Sequence, residues 1–559
     1  MGPGSIFGRI IKKGVLIVAL ALIIRANAFS QVWVYSLEHS MNDDECFELY
    51  DAIEMTNGNV ALSSIFYYKS GAGDFYSAQP AVTLLSANGQ EMARKDYFRP
   101  GYCTTSYAPY LFENNGRLFA LMTYSPDHDS TYFNYFKNYD DPPADAVLGL
   151  YKLDSDLDIE ESFEHSYVID TFECRSEQWE NNPNEHSGNL FLFSAFEDDG
   201  EIVGAYFKMV SHDYFNPRGH DTLFLFRMNF NGEIIQRKGY EWHTQGGMMQ
   251  WSYRRNHFVK TDSHYIFFAG SNQSGHQGTA FYYDKDFNLV RTRYMDHVGQ
   301  PTSNSITNIS VKRSLHNTTY LVTSSVSNVN SYIRDVRLYE LDDDIANPAN
   351  IIPFVQHIER KTDNYDLPAI LQSADLAENN TLFFAYTLNV GFYDNQDSWM
   401  MVERLDADLD TITTCYYDIG PDKRINSHAQ CITAARDGGV LLVSRSKNLD
   451  DTNQRWTTIT KFPAEAFEGI EEAHDNGLKV AVAYPNPGKD VLNIRTGLKD
   501  AWVEVYDMSG RMVYRQEITE NITSINAEGW PAGSYVWKVV ADTSTGSGTL
   551  AETGKWIKE

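Results

Sequence analysis

The stretch Leu148–Ile159, LGLYKLDSDLDI, constrains the fold of this chain more than any other: an apolar and aromatic strand runs into a tight aspartate-rich turn and out into a second strand. It recurs as TLFLFRMNFNGEII (Thr222–Ile235), AFYYDKDFNLV (Ala280–Val290), RLYELDDDI (Arg337–Ile345) and MMVERLDADLDTI (Met400–Ile412). A repeated hairpin, rather than one unique segment, is therefore the building unit, and self-similarity of this kind calls for a repeat architecture.

A second kind of strand alternates with the hairpins as far as Phe467. These are apolar runs: Gly58–Tyr68, Gly116–Tyr124, Gly188–Phe196, His264–Gly270, Thr319–Val326, Thr381–Thr387 and Gly438–Ser444. Each precedes a hairpin, the outermost two hairpins being Ala81–Met92 and Trp456–Phe467. Seven such pairs follow at roughly 55 to 75 residues per unit, longer than the about 40 to 50 of familiar propeller repeats. The pattern resembles a β-propeller of about seven blades, with six blades and one irregular unit as the alternative because the spacing after Leu148 is the least even. Runs such as LFFAY and VLLVS, apolar without alternation, are expected to be buried on both faces and to lie nearest the axis. The hairpin would form the outer half of each blade. The strand Gln31–Tyr35 is placed to complete the last blade and remove its open edge. Loops such as Asp127–Ala144 and Glu177–His186 would take up the extra length and sit on the propeller faces, where ligands are met.

Composition supports an all-β chain: 35 Tyr and 31 Phe favour pleated, half-buried surfaces. The net charge of -29 repels phosphate backbones and anionic bilayers, so nucleic acid is not an expected partner. Residues 1–28 read as a secretory signal, with Arg9, Lys12 and Lys13 ahead of the apolar Val15–Ile24 and a small-x-small cleavage site at Ala26 and Ala28. That apolar run is far below the roughly 20 residues a spanning helix needs, and no later segment qualifies, so no transmembrane segment is expected in the mature chain. Five cysteines are spread thinly over the sequence, Cys415 and Cys431 being the pair to test first for a disulfide. No CxxC or Cys/His zinc spacing occurs, and no cofactor or metal is expected.

Catalytic signatures are sparse. Asp154, Asp156 and Asp158, like Asp406, Asp408 and Asp410, have the spacing that opens a calcium loop, but the glycine and closing glutamate of such a loop are missing. These aspartates read as turn formers. His243, His276 and His428 lie in polar stretches suited to ligand contact or to ordinary hydrogen bonding, and Trp179, Trp242, Trp251 and Trp399 are candidates for stacking on sugar rings. No nucleophile elbow, phosphate loop or sialidase-type S-x-D-x-G-x-x-W box is present, so catalytic residues stay unassigned. The reading that fits is an exported module that binds a glycan or a protein. A glycoside hydrolase or lyase on the same scaffold is the alternative, and a surface-layer role a third.

After a glutamate-rich connector (468–479), a separate β domain occupies 480–559 as a small sandwich. Ala483-Tyr484-Pro485-Asn486-Pro487, the VYDMSGRMVY hairpin, Gly533-Ser534-Tyr535 and the terminal Gly554-Lys555-Trp556-Ile557-Lys558 occur in one order. In these elements the tail resembles the type A C-terminal sorting domain of the Bacteroidetes type IX secretion system. The resemblance implies an Ig-like sandwich that engages the type IX machinery and sends a periplasmic cargo to the outer-membrane surface or the medium. It further implies that Pro485, Asn486 and Pro487 open the domain, that Gly533 and Tyr535 belong to its central motif, and that Lys555 belongs to its terminal one.

Overall fold

The computed structural model describes residues 33–40, 43, 45–69, 76–100, 102–104, 109–126, 145–168, 189–209, 222–241, 258–270, 278–295, 306–313, 318–326, 334–360, 366–377, 381–388, 390, 398–406, 409, 411–417, 425–451, 453–467, 481–484, 488–496, 501–508, 510–519, 522–541 and 550–558. The expected all-β class holds: among these residues the regular structure is strand, apart from one 3-10 turn at Ala464–Phe467. The signal segment with Ala26 and Ala28, the connector 468–479, the loops Asp127–Ala144 and Glu177–His186, and Pro485, Asn486 and Pro487 lie outside the described residues. The chain divides into two compact units, one ending at Gly469 and the other covering Ile470–Glu559.

In the first unit, β1 (Trp33–Ser40) stands apart from the strands that follow it. The first sheet is β2 (Glu45–Glu54), β3 (Val60–Lys69), β4 (Tyr76–Leu85) and β5 (Glu91–Asp96). The second comprises β6 (Tyr102–Cys103), β7 (Tyr110–Asn114), β8 (Arg117–Pro126), β9 (Asp145–Leu153) and β10 (Ile159–Val168). The third is β11 (Asn189–Asp198), β12 (Glu201–Met209), β13 (Thr222–Met228) and β14 (Ile234–Glu241). The fourth follows as β15 (Phe258–Lys260), β16 (His264–Gly270), β17 (Gly278–Asp284) and β18 (Leu289–Met295), and the fifth as β19 (Ile306–Arg313), β20 (Thr319–Val326), β21 (Arg334–Leu341) and β22 (Phe354–Arg360). The sixth is β23 (Leu367–Pro368), β24 (Ala374–Leu376), β25 (Leu382–Leu388), β26 (Trp399–Leu405) and β27 (Thr411–Tyr417). The seventh, β28 (Ile425–Ala434), β29 (Val440–Asn448) and β30 (Gln454–Phe462), takes β1 as its outer strand, with Trp33 opposite Lys461 and Ser40 opposite Gln454. The ladders are antiparallel, and the N-terminal strand covers the edge of the last sheet, as the position of Gln31–Tyr35 suggests.

Period-2 side-chain alternation explains why the apolar runs do not alternate in polarity. Leu382, Phe384 and Tyr386 enter the core shared by the fifth and sixth sheets, while Phe383 and Ala385 enter the one shared by the sixth and seventh. In β29, Val440 and Leu442 face the sixth sheet and Leu441 and Val443 face the first. Each successive pair of sheets shares such a core, and the seventh shares one with the first, so the seven cores follow one another in a cycle. Every fully buried large side chain in them stabilises the fold by about 1.5–3 kcal/mol before the ordering entropy is subtracted.

One expectation needs correction. Most of the apolar runs are the second strands of their sheets, β3, β8, β16, β20, β25 and β29, and not the innermost ones. The first strands, such as ECFELYDAIE and INSHAQCITA, are more polar and contact one another from sheet to sheet, as β2 does β28, β15 does β19 and β24 does β28. A second strand is flanked by strands on both sides and by sheets on both faces, so it has the least access to water. A first strand keeps one edge toward the centre of the cycle and tolerates polar residues there.

The hairpin turns also have a physical account. Asp154 Oδ1 accepts the N–H groups of Asp156 and Asp158, and the Leu157 N–H donates to the Asp154 carbonyl. Asp284 does the same for Asp286 and Asn288, and Asn229 for Asn231 and Glu233. The fourth position is left-handed, with Gly232 at φ 77° but Leu157 at 65°, Phe287 at 61° and Leu409 at 65°. Non-glycine residues accept that strain because their side chains plug the cores between sheets: Leu157 and Phe287 are fully buried. The Asp154 carboxylate is thereby occupied in holding its turn, as the turn-former reading requires.

The first strands are interrupted at equivalent places. Register shifts fall at Leu49/Asp51 in β2, Leu192/Ser194 in β11, Thr307/Ser310 in β19 and Ala429/Cys431 in β28, while β6/β7 and β23/β24 are split there. Such bulges leave backbone groups off the ladder. Hydroxyls from the preceding sheet capture them: the Ala429 N–H donates to Thr387 Oγ1 at 2.9 Å, and the Leu49 N–H to Thr457 Oγ1 at 3.3 Å. The Leu190 N–H, at the start of β11, likewise meets Ser125 Oγ at 3.2 Å.

The proposed Cys415–Cys431 pairing is not formed. The Cys431 thiol donates to Asp51 Oδ1 at 3.1 Å, because Cys415 sits on the outer strand of the sixth sheet and Cys431 on the inner strand of the seventh.

The second unit packs two antiparallel sheets face to face. One is β31 (Ala481–Tyr484), β32 (Val491–Thr496) and β35 (Ile522–Asn526); the other is β33 (Ala501–Asp507), β34 (Met512–Ile518), β36 (Gly533–Ala541) and β37 (Leu550–Lys558). Leu492, Ile494 and Ile525 from the first meet Val503, Val505, Trp537, Val539 and Trp556 from the second in a single core.

Candidate functional site

The strongest convergence of polar chemistry in the first unit lies where the seventh sheet faces the first. Alternation from Val443, which with Cys431 enters the core shared with the first sheet, puts Arg445 and Lys447 of β29 on that face, and the register past the Ala429/Cys431 bulge puts His428 and Asn426 of β28 beside them. Cross-strand register then lines up two adjacent rows. One row is Asn426, Lys447, Arg455 and His39; the other is His428, Arg445, Thr457 and Leu37.

Glu48 of β2 reaches these rows from the first sheet. It is 4% exposed and forms an ion pair with Arg445, accepts the Tyr50 hydroxyl at 3.0 Å, and lies 3.6 Å from His39 Nε2. The Tyr50 hydroxyl also meets that of Tyr67 at 2.7 Å. Burial opposes the charge of Glu48, but Arg445 outweighs it and holds the carboxyl below its usual range. His428 is half-buried as a residue; burial first, and Arg445 second, push it down to about 4. His39 is also lowered by burial, with Glu48 and Asp43 opposing and Arg445 and Arg455 adding. Both rings are therefore neutral at pH 7, each with one N–H and one lone pair to offer. Burial pushes the Cys46 thiol up to about 12, so it is no nucleophile at neutral pH.

Hydrogen bonding here is incomplete. Asn426 Oδ1, His39 Nδ1, Arg445 Nε and Arg455 Nε are buried atoms without a hydrogen-bond partner. Asn426 and His39 are 5% and 8% exposed, whereas the Arg445 side chain is 36% exposed. The arrangement is a polar cluster in which buried, unpartnered polar atoms lie beside the partly exposed side chains of His428, Arg445, Lys447 and Arg455. Among the described residues no group of three or more His, Cys, Asp or Glu side chains is placed to hold a metal ion.

Of the residues singled out in the sequence, His428 belongs to this cluster. His243, His276, Trp179, Trp242 and Trp251, as well as the Trp399 side chain, lie outside the described residues. Sequence reasoning missed Glu48, Asn426, Arg445, Arg455 and His39. The usable signal was polar residues two apart within apolar strands, Asn426-x-His428 and Arg445-x-Lys447. Nothing local could connect them to Glu48 or His39 at the other end of the chain.

The second unit brings its motifs together as well. In the β36–β37 ladder Gly533 pairs with Lys558, Tyr535 with Trp556 and Val536 with Lys555. Gly488, just after Pro485–Pro487, donates its N–H to the Ile557 carbonyl at 2.8 Å, and Lys558 Nζ donates to the Lys489 carbonyl at 2.6 Å. The Tyr535 hydroxyl donates to the Pro531 carbonyl at 2.7 Å, and its ring joins those of Trp530 and Trp556. A Cβ at Gly554 would lie 2.4 Å from the Trp537 ring, which is why glycine precedes Lys555. Lys555 itself is exposed.

No curated protein matches this chain in sequence. Among solved structures it is similar to an α-L-arabinanase of Penicillium chrysogenum complexed with arabinobiose, at 11% identity over 77% of this chain and 99% of that one, TM-score 0.32. It is similar to a subtype N10 neuraminidase-like protein of A/little yellow-shouldered bat/Guatemala/060/2010, at 7% identity over 76% and 98%, TM-score 0.31. It is also similar to PorZ, a surface component of the type IX secretion system of Porphyromonas gingivalis, at 11% identity over 91% and 81%, TM-score 0.15. Likenesses this distant carry no argument about activity. Among the described residues no helix is long and apolar enough to cross a membrane. Residues 482–550 match the secretion system C-terminal sorting domain, so the chain carries an export address that leads to secretion or to attachment at the outer-membrane surface.

Proposed function

We propose that this is an exported binding module: a seven-bladed β-propeller (29–467) that engages a glycan or protein, preceded by a cleaved signal (1–28, cut after Ala26-Asn27-Ala28). A short linker (468–479) joins it to an Ig-like sorting domain (480–559) that is read by a Bacteroidetes-type type IX machinery. In that domain Pro485, Asn486, Pro487, Gly533, Tyr535 and Lys555 form the sorting motif. The cycle of seven shared cores supports the blade count, and the register of Gly533 and Tyr535 with the 554–558 segment supports one composite motif.

The observation that carries the binding reading is the polar cluster between the seventh and first sheets, where buried polar atoms converge without partners. A carbohydrate hydrolase on this scaffold would instead call for a carboxyl group pushed up to act as acid. Among the described residues the carboxylates with a resolved shift, Glu48, Asp198 and Asp284, are shifted down. The test is a polysaccharide panel offered to the mature chain, scored for both retention and product release. Retention without turnover is the expected result; release of reducing ends would overturn it in favour of a glycoside hydrolase, and release of unsaturated ends in favour of a lyase.

A further inference from the structure

We infer that the cross-strand cluster of Asn426, His428, Arg445, Lys447, Arg455 and His39 is a subsite for an anionic sugar, a carboxylate- or sulfate-bearing unit of a polysaccharide. The inference rests on the binding reading above and narrows it to one ligand chemistry.

Charge is the first ground. The chain carries -29 overall, yet among the described residues these two cross-strand rows bring Arg445, Lys447 and Arg455 together against two carboxylates, Glu48, which is ion-paired with Arg445, and Asp43, which acts on His39. A local cationic field inside an acidic molecule attracts anions and little else. Unmet hydrogen bonds are the second. Arg445 Nε and Arg455 Nε are buried donors that lack an acceptor, which an anionic oxygen supplies. Asn426 Oδ1 is a buried acceptor that lacks a donor, which a sugar hydroxyl supplies and a bare carboxylate cannot. His39 Nδ1 serves either role according to its tautomer. A ligand with anionic oxygens and hydroxyls on one rigid ring satisfies the whole set; a simple anion or an acidic side chain leaves Asn426 unmet. Size fits as well, since four strands side by side span roughly 14 Å.

The neutral state of His39 and His428 completes the design. Glu48, Asp43, Arg445 and Arg455 are the charged groups that face them, and burial keeps both rings unprotonated at pH 7. The cluster therefore offers its fixed charge from arginine and lysine, with the imidazoles as hydrogen-bonding groups.

The test uses the mature chain and immobilised polygalacturonate, dextran sulfate and neutral dextran, with soluble polyglutamate as competitor. Polygalacturonate or dextran sulfate should be retained over dextran, with affinity falling as salt rises, and the arm retained assigns carboxylate or sulfate. Asn426→Asp, nearly isosteric but repelling the anion, should weaken retention about tenfold or more, and Arg455→Gln, at a half-exposed position, should do so in the same direction. Equal retention of neutral dextran overturns the inference while leaving glycan binding intact. Competition by polyglutamate as strong as by free polygalacturonate overturns it in favour of a polypeptide ligand. Unchanged retention by both variants, each with a wild-type circular dichroism spectrum, removes the ligand from this cluster. Retention of no polysaccharide at all sinks the glycan reading together with the inference.

Discussion

Replacing Leu157 by glycine and by alanine separates two opposing effects built into the hairpin turn. Leu157 holds φ at 65°, a conformation that costs an L-residue about 1–2 kcal/mol and costs glycine almost nothing. Its side chain is fully buried in the core between the first and second sheets, and its carbonyl accepts the Tyr97 hydroxyl at 3.0 Å. Truncation to alanine keeps the strain and loses the plug, for about 2–5 kcal/mol. Truncation to glycine loses the same plug and adds about 0.5–1 kcal/mol of chain entropy, but relieves the strain. Both variants should therefore be less stable than wild type, and Leu157→Gly should match or exceed Leu157→Ala, the reverse of the usual order at an ordinary backbone position. Urea unfolding of the mature chain followed by far-ultraviolet circular dichroism reads both comparisons. A glycine variant as stable as wild type would refute the plug, and an alanine variant clearly more stable than the glycine one would refute the strain.

Three further outcomes are expected. Thr387→Val leaves the Ala429 N–H without an acceptor and should cost about 1–3 kcal/mol, with faster hydrogen exchange at that amide, whereas Thr387→Ser should restore most of it. Glu403 is 1% exposed and receives two hydrogen bonds from Arg360 at 2.9 Å each, so Glu403→Gln should destabilise by about 3–5 kcal/mol in urea, while Arg360→Met with Glu403→Leu should recover most of the loss. For pH, a His428 held at about 4 in the folded state against 6.5 in its absence means that the unfolded chain binds more protons between those values. Stability is full above about pH 6.5 and falls as pH drops toward 4, by up to about 3 kcal/mol for 2.5 units at 1.36 kcal/mol each. His428→Gln should flatten that slope in urea titrations at pH 7 and 4.5.

The all-β body was legible because its evidence is repeated. The hairpin beginning at Leu148 and the unalternating runs at Leu382 and Val440 each state the same local geometry several times, and period-2 burial on two faces follows from it. The tail was legible for a different reason: its motifs are short, specific and in order. The position of the apolar runs was misjudged because hydrophobicity reports total burial, and a second strand such as β25 is more enclosed than the β23/β24 edge beside it. The polar cluster was not legible. Asn426, His428 and Arg445 are ordinary polar residues in their own strands, and they acquire meaning only when register sets them against His39 and Glu48.

The pairing of β1 with β30 has a consequence in time as well as in space. The first strand of the body is synthesised long before its partner at Gln454–Phe462, so the seventh sheet is completed only when nearly the whole body has emerged. The sorting domain comes directly after that point. A chain cut short anywhere before Gln454 lacks both the partner of β1 and the address, whereas a chain that bears the address holds both strands of that pairing. The order of segments along the polypeptide thus places the export address after the last strand that the seventh sheet needs.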